Sequence, residues 1–183
     1  AIHRGSKPVY WCASCHTALA EAEVEYREHV SDSIYVRFPV TDREGRQRLL
    51  SECGVEDRGE PISVLIWTTT PWTLPANLAI ALHPEYEYSL LRGPGPEGEE
   101  LLLIATEMER AVCEGAGIPG ELVGRPVKGR ELEGVEPDHP FVHRRSPLVL
   151  ADYVTLEAGT GAVHTAPGHG AEDYATGSRY GLD

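Results

Sequence analysis

The chain has 183 residues, with 29 Asp and Glu against 16 Lys and Arg and a formal net charge of −13. Hydrophobic residues make up 41% and charged residues 25%, which is typical of a single globular domain over residues 1–183 and not of a disordered chain. The acidic balance argues against a broad nucleic-acid or membrane surface, because phosphate binding needs clustered Lys and Arg. A narrow contact with one end of a polynucleotide is compatible with this charge.

The usual signals for membrane insertion and export are missing. No apolar run approaches the roughly 20 residues that span a bilayer, and residues 1–8 lack the apolar core of a signal peptide. We therefore expect a cytoplasmic protein with no membrane partner. We also expect a monomer. Arg supplies 14 of the 16 basic residues, and Asn77 and Gln47 are the only amides, which is typical of a thermophile.

Residues 11–16, Trp-Cys-Ala-Ser-Cys-His, contain a Cys-x-x-Cys pair followed by His. Three interpretations are open: haem attachment, which the missing export signal disfavours, a turn with two unligated thiols, and half of a zinc site. A structural zinc ion takes four ligands, and the other two cysteines are isolated. Zinc at Cys12 and Cys15 therefore requires ligands from outside this chain, and residues 1–19 would be a stalk or zinc-knuckle segment.

Hydrophobic patterning predicts mostly short strands in the first hundred residues. Over residues 20–26, Ala, Val and Tyr alternate with Glu, the period-2 pattern of a half-exposed strand. Further strands are predicted over residues 34–40, 61–67, 78–82 and 85–91, with a short helix over 42–52 and a loop over 93–98.

The second half of the chain continues this pattern. It predicts strands over residues 101–105, 148–156 and 162–165, a turn at 159–161 and a helix over 170–180. A further helix is expected over 106–115, with Thr106 as its N-cap and Gly115 or Gly117 as its stop. Strands outnumber helices without alternating with them. This favours a mixed, strand-rich α/β fold, in which a curled, barrel-like sheet carries a few covering helices.

Residues 67–77, Trp-Thr-Thr-Thr-Pro-Trp-Thr-Leu-Pro-Ala-Asn, place three threonines at the end of a predicted strand. Side chains alternate along a strand, so Thr68 and Thr70 share one face, where their hydroxyls can hold a water or a carbonyl oxygen. Threonines are also ordinary strand residues, but two tryptophans and an asparagine so close by suit the wall of a pocket.

Residues 159–173, Gly-Thr-Gly-Ala-Val-His-Thr-Ala-Pro-Gly-His-Gly-Ala-Glu-Asp, form a second candidate motif. It lacks the third glycine and the following helix of a dinucleotide loop. A metal site at His164 and His169 is conceivable, although their spacing is not that of a helical zinc pair, and packed structural histidines are the alternative. Asp173 falls in the first turn of the predicted helix, where the dipole favours an ionised carboxylate that can bind an ammonium group.

Together the two motifs resemble those of the editing domain (connective polypeptide 1) inserted in class I isoleucyl-tRNA synthetases, over essentially the whole chain. The valyl and leucyl enzymes share the Thr-Thr strand end but typically have Arg where Thr70 stands, and the valyl enzyme usually has Lys where His164 stands. The nucleotide-binding signatures of the synthetic domain are absent. The resemblance therefore implies a segment that does not activate amino acids with ATP.

The resemblance implies hydrolysis of valine wrongly joined to isoleucine tRNA, and of valyl-adenylate, in a pocket that excludes isoleucine. The expected partners are the 3′-terminal adenosine of that tRNA and the rest of the synthetase chain, with no cofactor in the site. The alternatives are a valyl- or leucyl-type editing domain, a catalytically silent tRNA-end binding module, and a zinc-stabilised structural insertion.

The family's residues match positions of this chain one by one. Asp173 resembles the carboxylate that pairs with the substrate ammonium, and His164 the residue that closes the side-chain pocket. With Thr68 and Thr70 they form the expected catalytic set, acting on a water that attacks the ester without a covalent intermediate. The other implied substrate-binding residues are Thr69, Trp72, Asn77, Ala166, Pro167, Gly168, His169 and Gly170.

Overall fold

Ten strands and three α-helices lie between residues 7 and 182, the part of the chain that the computed structural model describes. The strands are β1 (Trp11–Cys12), β2 (Thr17–Ala18), β3 (Ile34–Pro39), β4 (Ile62–Thr68), β5 (Ala79–Leu82), β6 (Glu87–Gly95), β7 (Gly98–Ala105), β8 (Glu121–Lys128), β9 (Leu148–Leu150) and β10 (Ala162–Thr165). The helices are α1 (Arg43–Cys53), α2 (Glu109–Ala116) and α3 (Ala171–Tyr180), and short 3-10 turns lie at Glu21–Glu23, Pro71–Ala76, Thr106–Met108 and Gly129–Glu131.

The main core is built on a five-stranded sheet with the strand order β3-β4-β7-β6-β8. The pair β4 and β7 is parallel, and the other neighbours are antiparallel. Val64, Leu65 and Ile66 of β4 are fully buried, as expected for a strand covered on both faces. This strand carries Thr68 to the edge of the core.

A smaller sheet with the order β10-β5-β9 brings the two motifs together. β5 is antiparallel to β10 and parallel to β9. The register pairs His164 with Ile80 and Thr165 with Ala79, and the Leu78 N–H donates to the Thr165 carbonyl at 2.9 Å. The chain just before β5 therefore lies beside β10, although the two are far apart in sequence.

Side-chain and glycine signals set the ends of the helices. The Asp42 carboxylate accepts a hydrogen bond from the Gly45 N–H at 2.7 Å and caps the N-terminus of α1. Gly54, with a φ of +65°, caps its C-terminus. Helix α3 carries Asp173 in its first turn. The prediction of both helices is confirmed.

Several predicted elements are wrong or displaced. No strand forms over residues 20–26, where Glu21–Glu23 is a 3-10 turn and Tyr26 is 80% exposed. No strand of the described chain pairs with this segment, and alternation without a partner does not make a strand. The strand expected over 148–156 ends at Leu150, where its pairing with β5 ends.

The segment from β6 to β8 also differs from the prediction. The expected loop over 93–98 is a tight hairpin, with β6 continuing to Gly95 and β7 beginning at Gly98. Thr106 opens a 3-10 turn and is not an N-cap, so α2 begins at Glu109. Strand β8 was not predicted, because Gly124, at φ +75°, and a proline interrupt its apolar pattern.

The expected class, a mixed, strand-rich α/β fold with few helices, is confirmed. The expected barrel-like sheet is not found, because the described strands form three separate open sheets. Within residues 7–182, no helix is long and apolar enough to cross a membrane.

Gly161, just before β10, provides a test of the packing between the two sheets. Its φ is +74°, and a Cβ at this position would lie 2.3 Å from the Ala105 Cβ. Gly161→Ala should lower the free energy of unfolding by about 2–4 kcal/mol, through backbone strain and overpacking. Gly168→Ala is the control, because its Cβ would meet open space. Urea denaturation of both variants measures the difference, and equal stabilities would contradict this packing.

Candidate functional site

A cavity of about 370 Å³ lies where β4, β10 and the first turn of α3 meet. Its walls are Trp67, Thr68, Thr70, Trp72, Thr73, Val163, His164, Ala166, His169 and Asp173. All ten residues come from the two sequence motifs. The fold therefore makes one site from two segments that the sequence separates.

The threonines at the end of β4 present hydroxyls to this cavity. Thr68 Oγ1 lies 3.2 Å from Thr70 Oγ1 and accepts the Thr70 N–H at 3.0 Å. The two side chains share one face, as the strand pattern predicts. Only one of their two hydroxyl protons is used between them, so the other can donate to a water or a carbonyl oxygen.

His164 is buried, and each of its ring nitrogens has a hydrogen-bond partner. Asn77 Nδ2 lies 3.2 Å from Nδ1, and Thr73 Oγ1 lies 2.8 Å from Nε2. An amide nitrogen only donates, so Nδ1 accepts and the ring proton is on Nε2. The ring is thereby fixed in one neutral form, with no lone pair left to take a proton from water.

Asp173 is the anionic group of the cavity. Its Oδ2 accepts the Ala166 N–H at 2.9 Å, and its Oδ1 accepts the Tyr153 hydroxyl at 3.3 Å. A carboxylate offers about four acceptor sites, so both oxygens can accept further hydrogen bonds. The carboxylate is thus held in place while it keeps capacity for a cationic ligand.

A second cavity of about 400 Å³ adjoins the first and shares four wall residues with it, namely Trp67, Thr68, Val163 and Asp173. Its other walls are Thr69, Tyr153, Thr155, Glu157, Ala158, Gly159, Thr160, Gly161, Ala162 and Glu172. Neither set of wall residues contains Lys or Arg. The combined groove therefore suits a ligand with a positively charged group near Asp173.

Comparison with known families identifies the chain. A family model described as tRNA synthetases class I (I, L, M and V) matches residues 1–159. The chain belongs to the class I tRNA synthetases. Isoleucine–tRNA ligases are its relatives: that of Moorella thermoacetica is 55% identical and that of Nitrosococcus oceani 50%, each over 99% of this chain. The chain spans only 18% and 19% of their lengths.

Solved structures match this synthetase segment in fold. The leucyl-tRNA synthetase editing domain of P. knowlesi aligns with a TM-score of 0.66 at 15% identity, covering 78% of this chain and 61% of that one. The corresponding P. falciparum domain aligns at 0.64 with 13% identity, covering 79% and 64%. The resemblance to the isoleucyl-type synthetases and to the editing-domain fold is confirmed.

The other expected site residues of the synthetase segment lie around these cavities. Asn77 is fully buried behind His164, outside the cavity walls. Pro167 is buried and packs against Gly177 of α3, where an added Cβ would lie 2.6 Å from its ring. Gly168 is exposed, and Gly170 is the N-cap of α3. These last residues shape the turn that leads into α3.

Sequence reasoning missed several residues of the site, among them Trp67, Thr73, Tyr153 and Val163. Thr73 lies within the first motif, and its contact with His164 could have been suspected from its position beside the predicted strand end. Tyr153 and Val163 also line the groove. Tyr153 had no local signal, because only the tertiary fold brings its hydroxyl to Asp173.

The N-terminal cysteines lie away from these cavities, in the β1–β2 hairpin. The Cys12 thiol accepts the Cys15 N–H at 3.3 Å, and this contact lowers the pKa of the Cys12 thiol. Among residues 7–182, no group of three or more His, Cys, Asp and Glu is arranged to hold a metal ion. The two thiols therefore offer at most half of a zinc site within the described chain.

Burial controls the protonation of the groups in the cavity. It lowers the pKa of His164, against an opposing effect of Asp173 and with smaller lowering effects of His169 and His139. Burial also raises the pKa of Tyr153 to about 12, so its phenol stays protonated and donates to Asp173. At neutral pH the site therefore holds a neutral imidazole and a protonated phenol.

The depressed pKa of His164 predicts a loss of stability below about pH 6.5. In that range the unfolded chain binds the histidine proton more readily than the folded chain does. The free energy of unfolding therefore decreases as the pH is lowered. Between about pH 7 and pH 5, the free energy of unfolding should decrease less in His164→Gln than in the wild type, as measured by urea denaturation. The control is His29→Gln, which removes an exposed histidine. If the free energy of unfolding decreased as much in His164→Gln as in the wild type, the lowered pKa of His164 would be contradicted.

Proposed function

We propose that this synthetase segment hydrolyses valine esterified to the 3′-terminal adenosine of isoleucine tRNA, and valyl-adenylate in the same pocket. The observation that carries the proposal is the convergence of the Asp173 carboxylate, the Thr68 and Thr70 hydroxyls and the rigid His164 ring on one cavity. An α-amino ester needs an anion for its ammonium group, hydroxyls near its carbonyl and a wall that limits its side chain.

The ammonium group of the ester would bind to Asp173. The Ala166 N–H and the Tyr153 hydroxyl fix the orientation of this carboxylate before substrate arrives. A charge-assisted hydrogen bond is roughly twice as strong as a neutral one, and a fixed partner loses little entropy on binding. This contact would place the ester carbonyl relative to the threonines.

Size selection would rest on His164. One methylene in an apolar pocket is worth only about 1–3 kcal/mol, a limit for which isoleucyl-tRNA synthetases themselves are the standard illustration. A second pocket that admits valine but not isoleucine supplies the missing selectivity. A ring held at both nitrogens cannot swing away to admit the extra methylene, so His164 is suited to this task.

The reaction would be direct attack by water. The water oxygen bonds to the ester carbonyl carbon and gives up a proton, the bond between that carbon and the ribose oxygen breaks, and the ribose oxygen takes up the proton to leave as a hydroxyl. The hydroxyls of Thr68 and Thr70 would hold the water, and much of the acceleration would come from positioning and electrostatic stabilisation. Both ring nitrogens of His164 are occupied, so it serves as a wall and not as a base.

The second cavity would take the terminal adenosine. It adjoins the amino-acid cavity through Thr68 and Asp173, as the linkage between the ribose and the ester requires. The rest of the tRNA would bind to other parts of the synthetase, because this segment has a formal charge of −13 and would repel a long polyanion.

The N-terminal hairpin would connect the segment, a single domain over residues 1–183, to that larger enzyme. A thiolate that accepts a backbone N–H is suited to bind zinc, and the Cys12 sulfur accepts the Cys15 N–H in the β1–β2 hairpin. Cys12 and Cys15 would then supply two thiolate ligands, with the other two coming from parts of the synthetase outside this chain.

Removing the charge of Asp173 tests the ammonium contact. In the complete synthetase, Asp173→Asn should reduce kcat/KM for hydrolysis of valyl-tRNA by about 100-fold, the loss of one charged hydrogen bond at the reacting centre. Asp152→Asn changes an exposed carboxylate outside both cavities and is the control. Undiminished hydrolysis by Asp173→Asn would remove this residue from the site.

Removing the ring of His164 tests size selection. His164→Ala should leave the valyl ester a substrate and allow hydrolysis of isoleucyl-tRNA, because the pocket gains room for the extra methylene. The measurement is release of labelled isoleucine from isoleucyl-tRNA, with His29→Ala as the control. An isoleucyl ester that stays intact in the His164→Ala enzyme would show that another group sets the size limit.

A further inference from the structure

Ser146 is a fully buried polar residue that belongs to no wall of either cavity. Its hydroxyl lies 2.7 Å from Asn77 Oδ1, a residue 69 positions earlier in the chain. Because a carboxamide oxygen only accepts, the serine hydroxyl is the donor. Ser146 therefore touches the site only through Asn77.

The fold places Ser146 at this position. Ser146 lies two residues before β9, whose parallel pairing with β5 sets Leu148 against Ile80. The Ile80 N–H donates to the Pro147 carbonyl at 3.0 Å, which brings Ser146 beside the chain that enters β5. Asn77 lies on that entering chain, so the register of the β5–β9 pair fixes the distance between the two side chains.

Other side chains of the same loop, residues 138–146, donate hydrogen bonds to the turn that precedes Asn77. His139 Nε2 donates to the Leu74 carbonyl at 2.8 Å, and Arg144 Nη2 donates to the Pro75 carbonyl. With Ser146, three side chains of one loop contact the backbone and side chain of the Pro71–Asn77 segment. This segment also carries Thr73, so the loop supports both partners of the His164 ring.

Along the series of hydrogen bonds from Ser146 to the cavity, each residue donates to the next one. Ser146 donates to Asn77 Oδ1, which leaves Asn77 Nδ2 to donate to the Ala79 carbonyl at 2.7 Å and to His164 Nδ1 at 3.2 Å. His164 Nε2–H then donates to Thr73 Oγ1, whose own proton goes to the Thr70 carbonyl at 2.8 Å.

A flipped Asn77 amide would break this order. Its oxygen would then face the Ala79 carbonyl, which cannot donate, so no proton would lie between the two oxygens. Each donor in the observed arrangement has an acceptor, so the network has a single satisfied state.

We propose that Ser146 is a positioning residue for size selection, because it holds Asn77 in the orientation that fixes His164 as the Nε2–H tautomer. The proposal rests on the proposed editing function for its consequence in catalysis. Without the serine hydroxyl, Asn77 Oδ1 is buried without a donor, and the amide and the imidazole that it holds become mobile. A mobile ring closes the pocket less completely against the extra methylene of isoleucine.

The test compares Ser146→Ala with Ser89→Ala. Ser89 is a matched control, since it is also buried and its hydroxyl makes one side-chain hydrogen bond, to Thr106 Oγ1 at 2.8 Å. In the complete synthetase, the ratio of kcat/KM for valyl-tRNA over isoleucyl-tRNA should fall about tenfold in Ser146→Ala, which corresponds to about 1.4 kcal/mol. The ratio should be unchanged in Ser89→Ala and intermediate in Ser146→Cys, which keeps a weak donor of similar shape.

A spectroscopic measurement on the 183-residue chain separates positioning from a merely structural role. Nitrogen-15 NMR, assigned with His164→Gln, should place the imidazole proton on Nε2 in the wild type, and exchange of this proton with water should quicken about tenfold in Ser146→Ala but not in Ser89→Ala. A proton on Nδ1 in the wild type, or unchanged exchange and unchanged selectivity in Ser146→Ala, would overturn the proposal. So would an equal loss of both ester activities.

The two proposals can fail separately. If the wild-type synthetase hydrolyses neither ester, the editing function is wrong, while the tautomer and the proton exchange still decide whether Ser146 positions His164. If Ser146→Ala does not fold, the position of the proton in the wild type and the selectivity of Ser146→Cys decide instead.

Discussion

The hydrogen bond between Asn77 and His164 joins residues 87 positions apart, and the site depends on it. The antiparallel pairing of β5 with β10 brings the two residues together, and the parallel pairing of β5 with β9 brings Ser146 behind them. The smaller sheet thus acts as the frame of the cavity, while the larger sheet supplies the core and presents Thr68. The rigidity that we propose for size selection is therefore a property of strand register.

In the proposed function, electrostatics divide substrate binding between this segment and the rest of the synthetase. The groove has carboxylates from Glu157, Glu172 and Asp173 in its walls and no Lys or Arg. Such a site favours an ammonium group, which a free amino acid, an aminoacyl-adenylate and an aminoacyl-tRNA ester all carry. The formal net charge of −13 argues against a broad nucleic-acid surface. This charge is compatible with the proposed binding of the terminal nucleotide alone.

Local signals predicted the parts of the fold that depend on local chemistry. The Thr68–Thr70 face, strand β10 and the helix that carries Asp173 all follow from alternation, glycine placement and helix-start signals. The roles of Tyr153 and Ser146 could not be predicted, because each depends on a contact between segments that are far apart in the sequence. The false strand over residues 20–26 has the same cause, since its alternating pattern meets no partner in the described chain.

A crystal structure of this segment with a non-hydrolysable valyl-adenosine amide tests the central claim most directly. The account predicts that the ammonium group lies within hydrogen-bond distance of Asp173, with the valine side chain against His164 and the adenosine in the cavity lined by Tyr153. An ammonium group bound elsewhere, or an amino-acid side chain pointing away from His164, would contradict it.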